Sequence, residues 1–178
     1  MKKIKIKDKT FIRSITSREI NQIIKTLADR INNDLQGKEV LFLPILNGSF
    51  IFAADLIREI KIPGTVSFVK LSSYKADKSQ QNIQSLIGLN EDLKDKCIII
   101  IEDIIDTGST IAQVVNDLKS KKVAEIKIAT MLLKSGIYAG NIVIDYIGKE
   151  IENNFVVGYG LDYDGFGRNF KDIYKMTE

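Results

Sequence analysis

Three runs of this chain are apolar at nearly every position: Glu39–Leu46 (EVLFLPIL), Cys97–Ile101 (CIIII) and Glu125–Leu133 (EIKIATMLL). A strand with one wet face alternates apolar and polar residues, because successive side chains point to opposite sides. Strands that are apolar throughout need cover on both faces, and a parallel sheet flanked by helices supplies it. Helical patterns lie between the runs. Thr16 and Glu19 have the spacing of a capping box, and Ile20, Ile23, Ile24, Leu27, Ile31 and Leu35 then share one helical face as far as Gly37. Phe50, Ala53, Ala54, Ile57 and Ile60 repeat the pattern after Asn47-Gly48, and Ile111, Val114, Val115 and Leu118 repeat it after Gly108, ending among Lys119, Lys121 and Lys122. Thr65–Ser73 and Phe155–Leu161 complete the strand-like set. The expected class is α/β, a mainly parallel central sheet with helices on both faces. Short pieces at the amino terminus and around Asn141–Ile151 break the alternation and are assigned to a small subdomain over the strand ends.

Composition narrows the chemistry. With 178 residues, 44% of them hydrophobic, the chain is long enough for one domain with a real core. It has no histidine and one cysteine, which excludes internal disulfides, His/Cys zinc sites and any Ser-His or Cys-His pair. Cys97 opens an apolar run and reads as a small buried hydrophobe. A net charge of +3 is too mild to call for nucleic acid. The start, MKKIKIKDKT, has lysines but no apolar stretch after them, so it reads as a half-exposed edge strand rather than a secretory signal. No apolar run is long enough to span a membrane, and a soluble cytoplasmic protein is expected.

The stretch IIIIEDIIDTGST, Ile98 to Thr110, joins a buried strand to a helix. Ligands of such sheets bind outside the carboxyl ends of the strands. Backbone N–H groups at the helix start, with the hydroxyls of Thr107, Ser109 and Thr110, suit a phosphate dianion. The carboxylates Glu102, Asp103 and Asp106 would repel that phosphate unless they faced ribose hydroxyls or a hard cation such as magnesium. The implied ligand is a sugar with a terminal phosphate and a magnesium-bound polyphosphate. The plainer alternative is a solvated acidic loop ahead of a capped helix. Neither GxxxxGK[ST] nor GxGxxG after a strand is present. The polar stretch from Tyr74 to Lys96 is long for a connection in a compact domain, which suggests a lid.

These residues resemble a known family. IIIIEDIIDTGST is similar to the phosphoribosyl pyrophosphate motif of type I phosphoribosyltransferases. LPILNGSFIFAADLIR, VKLSSY, ATMLLK and FVVGYGLDYDGFGRN resemble the hypoxanthine-guanine branch over nearly the whole chain. The resemblance implies a core of about 37–135 and 154–162, a hood from about 1–15, 136–153 and 163–178, and a mobile loop of about 74–96 that opens on Ser73-Tyr74. It places the 5'-phosphate on Asp106, Thr107, Gly108, Ser109 and Thr110, and puts Glu102 and Asp103 toward ribose and metal. Asp106 corresponds to the proton acceptor at purine N7 and Lys134 to the donor to the 6-oxo group. Phe155 matches the residue that stacks on the base, while the carbonyls of Val156 and Asp162 match acceptors for a 2-amino group. The Asp162 carboxylate aligns near the second magnesium, and Leu46, Asn47, Gly48 and Arg168 with pyrophosphate. A cis peptide between Leu46 and Asn47 is implied too. Lys134 read without the family is an ordinary strand-end lysine, and Arg168 a surface arginine.

The activity so implied is Mg2+-dependent transfer of phosphoribosyl from phosphoribosyl pyrophosphate to hypoxanthine or guanine. The products are a purine nucleoside monophosphate (IMP or GMP) and pyrophosphate, and the setting is purine salvage. A homodimer or homotetramer is expected, with no nucleic acid or membrane partner. Two departures stand out: many relatives have lysine where this chain has Asn47, and often Ser-Thr-Gly where it has Ser79-Gln80-Gln81. The rival readings are a non-catalytic sensor of phosphoribosyl pyrophosphate or nucleotides on the same fold, and a transferase for a pyrimidine base. Retention of Lys134, Phe155 and Asp162 argues against both.

Overall fold

The computed structural model describes residues 2–72, 84–87 and 92–177. In chain order the elements are β1 (Lys3–Ile6), β2 (Lys9–Ile15), α1 (Ser17–Asp34), β3 (Val40–Leu46), α2 (Phe50–Glu59), β4 (Gly64–Val66), β5 (Val69–Ser72) and β6 (Gln84–Ile87). There follow β7 (Cys97–Ile105), α3 (Ser109–Ser120), β8 (Glu125–Leu133), β9 (Tyr146–Glu150), β10 (Val156–Val157) and β11 (Ile173–Met176). The main sheet runs β6-β5-β3-β7-β8-β9, with β4 also pairing β3. All of its pairs are parallel except β5 with β6. Among the described residues no helix is long and apolar enough to cross a membrane.

The continuous apolar runs are explained by what lies on each side. Ile99 and Ile101 of β7 pack with Ile20, Ile24, Leu27 and Ile31 of α1 and Phe52 and Leu56 of α2. Ile98 and Ile100, pointing the other way, pack with Ile111, Val114, Val115 and Leu118 of α3. All four isoleucines are fully buried, each worth roughly 1.5–3 kcal/mol of transfer free energy. The Thr16 hydroxyl accepts from the Glu19 N–H while the Glu19 carboxylate accepts from the Thr16 N–H, so the capping box starts α1 as expected. Cys97 is buried, and that burial pushes its thiol up to about 11.

A second, antiparallel sheet of order β1-β2-β11-β10 forms the hood, closed around Phe11, Val157 and Tyr174. Two assignments differ from the expectation. The segment 136–153 does not join the hood, because its strand β9 pairs parallel to β8 and covers an edge that would otherwise be open. Asp145 fixes that placement by accepting from the Ile128 N–H at 2.9 Å and the Lys127 ammonium at 3.0 Å, and Tyr146 is buried under Arg30 of α1. The segment 154–162 straddles both bodies: β10 pairs with β11 in the hood sheet, while Val156, Tyr159 and Leu161 pack in the main core. The extended stretch expected over Phe155–Leu161 stops at Val157, since Gly158, Tyr159 and Gly160 all take positive φ.

Ser73 and Tyr74 lie outside the described residues, as does most of the expected mobile stretch. Two parts of that stretch are described. Gln84–Ile87 form β6 against β5, and Leu93 is buried in the core on the α3 side.

Hood and core are joined by Asp172, whose carboxylate accepts from the Ser17 N–H at 2.8 Å and lies 3.6 Å from the Arg13 guanidinium. Burial alone would raise its pKa, but the Ser17 N–H and Arg13 outweigh it and hold the carboxyl below its ordinary value. A depressed carboxyl stabilises the fold above its unfolded value, and the contribution is lost as pH falls through the folded one. Asp172→Asn should therefore cost about 1–2 kcal/mol at neutral pH, with the gap to wild type closing in acid, as read by thermal unfolding across pH. A constant gap would refute it.

Candidate active site

Strand β7 does not end with its apolar run at Ile101. Pairing with β8 continues through Glu102↔Thr130 to Ile105↔Leu133, so Glu102 and Asp103 lie inside the strand rather than beyond it. Each is only 9% exposed. Burial, then the Asp103 charge, pushes the Glu102 carboxyl well above its ordinary value. Asp103 is raised by burial too, although its hydrogen bond with Glu102, nearby backbone N–H groups and the Arg168 charge pull the other way. Glu102 Oε2 has no hydrogen-bond partner among the described residues. A buried carboxyl oxygen left unpaired is costly, and a ligand at this site would relieve that cost.

Three residues on, the chain turns into α3. Gly108, at φ +85°, is the N-cap; it offers no side-chain hydrogen bond to the first turn, and that turn carries no acidic residue. The helix therefore keeps its N-terminal N–H groups and positive end for an anion. Asp106, Thr107, Ser109 and Thr110 are exposed around them. With Gly108, Glu102 and Ile111 they line a cleft of about 310 Å³.

Lys134 follows β8, its N–H donating to the Ile105 carbonyl at 3.0 Å. Its side chain is 9% exposed, and the ammonium lies 2.9 Å from Asp106 Oδ1. The buried cation is thus paired across the end of the sheet with the carboxylate of the loop that leads into α3.

A second group of loops closes on the first. The Leu46–Asn47 peptide is cis, and the Ser49 hydroxyl behind it donates to the Ile45 carbonyl at 2.5 Å. Gly48 lies so close to Asp103 that a side chain there would overlap the carboxyl group, and a side chain at Gly160 would overlap the Gly48 carbonyl. Arg168 donates from Nη1 to the Gly160 carbonyl and pairs through Nη2 with Asp162 Oδ1, both at 2.6 Å. Asp162 Oδ2 accepts from the Gly165 N–H at 2.6 Å. Phe155 is 43% exposed, with Tyr163 edge-on at 5.9 Å and 85°. Val156 sits in β10 opposite Lys175.

The structure therefore gathers Glu102, Asp103, the Asp106–Thr110 loop and Lys134 at the carboxyl ends of β7 and β8, with Gly48 against Asp103. Asp162 is engaged by Arg168 instead, and among the described residues no three His, Cys, Asp or Glu side chains form one metal cluster. Supporting residues that the sequence did not single out are Ser49, hinted at only by its place after the Asn-Gly turn, Tyr138, whose ring lies against Gly108, and the pair Tyr159–Asp55, in which the phenol donates to the carboxylate at 2.8 Å.

Residues 14–164 match the phosphoribosyl transferase domain family. The chain belongs to the phosphoribosyltransferases. This phosphoribosyltransferase is 37% identical over 160 residues to the hypoxanthine-guanine phosphoribosyltransferase of Staphylococcus aureus, covering 89% of each chain. To the enzyme of that name from Mycobacterium tuberculosis it is 32% identical over 157 residues, covering 84% of this chain and 78% of the other. Among solved structures it is similar to a hypoxanthine-guanine phosphoribosyltransferase from Bacillus anthracis, with a TM-score of 0.85 and 32% identity over 93% of this chain and 97% of that one. A hypoxanthine phosphoribosyltransferase from Staphylococcus aureus gives a TM-score of 0.86 and 35% identity over 93% and 90%.

The contact of Gly48 with Asp103 leaves no room for a methyl group. Gly48→Ala should cost about 1–3 kcal/mol of stability through overpacking. It should also lower kcat/KM for phosphoribosyl transfer by about 10²-fold through displacement of Asp103 or the 46–48 turn. Denaturant unfolding and initial rates check both, and a variant with wild-type rates would contradict the packing argument.

Proposed function

We propose that this phosphoribosyltransferase moves the 5-phosphoribosyl group from phosphoribosyl pyrophosphate to a 6-oxopurine, hypoxanthine or guanine. The products are the purine nucleoside 5'-monophosphate and pyrophosphate, and the reaction serves purine salvage. The observation that carries this reading is the buried Lys134 ammonium facing Asp106 at the phosphate loop. A lysine only donates hydrogen bonds, so it accepts a 6-oxo group and rejects the amine that adenine presents there. The relatives' names support the same acceptors.

In the reaction the bond from ribose C1 to pyrophosphate oxygen breaks, a bond from C1 to purine N9 forms, and the N7 proton leaves the base. The 107–110 N–H groups and hydroxyls hold the 5'-phosphate, and Glu102 and Asp103 face the ribose hydroxyls. Asp106 accepts the N7 proton once the purine has drawn Lys134 to its 6-oxo group. Phe155 stacks on the base, and the carbonyls of Val156 and Asp162 take a 2-amino group. The 46–48 turn and Arg168 receive the departing pyrophosphate. Most of the rate enhancement then comes from positioning and from fixed donors at the oxygens that gain charge.

The acidic residues fit magnesium. Two adjacent buried carboxyls, one with an orphaned oxygen, supply the hard oxygen ligands that this ion takes alongside water and substrate oxygens. Glu102 and Asp103 would hold it at the ribose, and Asp162 would face the ion that travels with pyrophosphate. When bound, it supplies charge neutralisation for the leaving group. The protein works in the cytoplasm as a homodimer or homotetramer, and Lys70 lies near the position that the family uses across a subunit contact.

Incubation with magnesium, phosphoribosyl pyrophosphate and each base in turn should give nucleotide from hypoxanthine or guanine. Product from uracil alone, or none at all, would sink the reading. Lys134→Ala should erode discrimination against adenine by about tenfold or more, measured as the ratio of kcat/KM values. An unchanged ratio would leave the 6-oxo contact without support.

A further inference from the structure

The phosphate loop is almost entirely exposed, yet its geometry must be firm for its N–H groups to converge on one dianion. Gly108 makes this harder, since a glycine at φ +85° has no side chain to restrict it. What restrains it is Tyr138. The ring edge of Tyr138 lies directly against Gly108, so closely that a side chain on Gly108 would overlap Cε2. The same ring also meets Gly140, where a Cβ would fall 2.7 Å from the phenol oxygen. The Tyr138 hydroxyl donates to the Ile142 carbonyl at 2.5 Å, and its N–H donates to the Lys134 carbonyl at 3.0 Å. The rest of the ring packs on the core beside α3.

We infer that Tyr138 is a positioning residue for the donor's 5'-phosphate, a wall that holds the Gly108 turn and the first N–H groups of α3 in their phosphate-binding arrangement. The inference rests on the reading that residues 106–110 hold that phosphate. Tyr138 reaches the phosphate through Gly108 and does not touch it. Restricting the loop before binding reduces the ordering that the ligand must otherwise impose, which raises affinity for the phosphate without any new contact. The same turn begins at Lys134, so one short segment sets both the base-reading ammonium and the phosphate loop.

Binding of IMP and of inosine, which lacks the phosphate, separates this role from general packing. In wild type IMP should bind far more tightly than inosine. Tyr138→Ala should lower IMP affinity by about tenfold and leave inosine within about twofold, as titration calorimetry would read it. Tyr138→Phe keeps the ring against Gly108 and should stay within about threefold of wild type for both. Tyr138→Leu, which keeps apolar bulk without a flat ring, should behave as the alanine variant does, and decides the matter if that variant does not fold. A preference for IMP undiminished in the folded Ala or Leu variants overturns the inference alone. A wild type that binds IMP no better than inosine overturns the phosphate reading, and this inference with it.

Discussion

Two neighbouring carboxyl groups sit inside a central strand, nearly out of water, and much of the surrounding structure follows from accommodating them. Burial pushes both toward their neutral forms, and the Asp103 charge pushes Glu102 further the same way. Gly48 comes up against Asp103 without a side chain, and the Arg168 charge is close enough to favour the Asp103 carboxylate. The strand keeps its pairing past these residues to Ile105, so the acids are held by the sheet rather than by a loop. A rigid element gives a site more precision than a loop does.

Two charged pairs of the site are already matched within the protein, Lys134 with Asp106 and Arg168 with Asp162. Each pair holds its members in place, and a substrate that brings complementary groups exchanges one set of contacts for another. A ligand that brings none breaks a pair without replacing it, which is costly for a cation as buried as Lys134. With Lys134 in its proposed role, discrimination between purines would reside in what remains unpaired, not only in what is gained. The loops that carry these pairs are interlocked through backbone: Arg168 holds the Gly160 carbonyl, and Gly160 packs on Gly48, which packs on Asp103.

Much of this was legible in the chain. Continuous apolar runs and the alternating helical faces marked the β3, β7 and β8 strands and all three helices, because periodicity follows directly from which faces are covered. The Thr16–Glu19 cap and the strand-to-helix turn at Asp106–Thr110 are local and so were readable. The placement of β9 was not, since its pairing with β8 depends on the contacts of Asp145 and Tyr146 with residues far away in sequence. Nor was the straddling of 154–162, where three successive positive φ values turn the backbone between two sheets. The individual roles of Lys134, Phe155 and Arg168 came from likeness to a family; by local pattern Lys134 is only a lysine after a strand. Tyr138 and the Tyr159–Asp55 pair carry no periodic signal, since Tyr138 matters through its contact with Gly108 and the pair through a hydrogen bond between residues far apart in the chain.

The central claim is that one end of the sheet holds the donor through β7 and the α3 turn, while Lys134 reads the acceptor beside it. A crystal structure with a purine nucleoside 5'-monophosphate bound tests it most directly. The account predicts phosphate on the N–H groups of residues 107–110, ribose hydroxyls toward Glu102 and Asp103, and the 6-oxo group within hydrogen-bond distance of the Lys134 ammonium, its pairing with Asp106 loosened. A phosphate bound elsewhere, or a base whose 6-position faces away from Lys134, would contradict it.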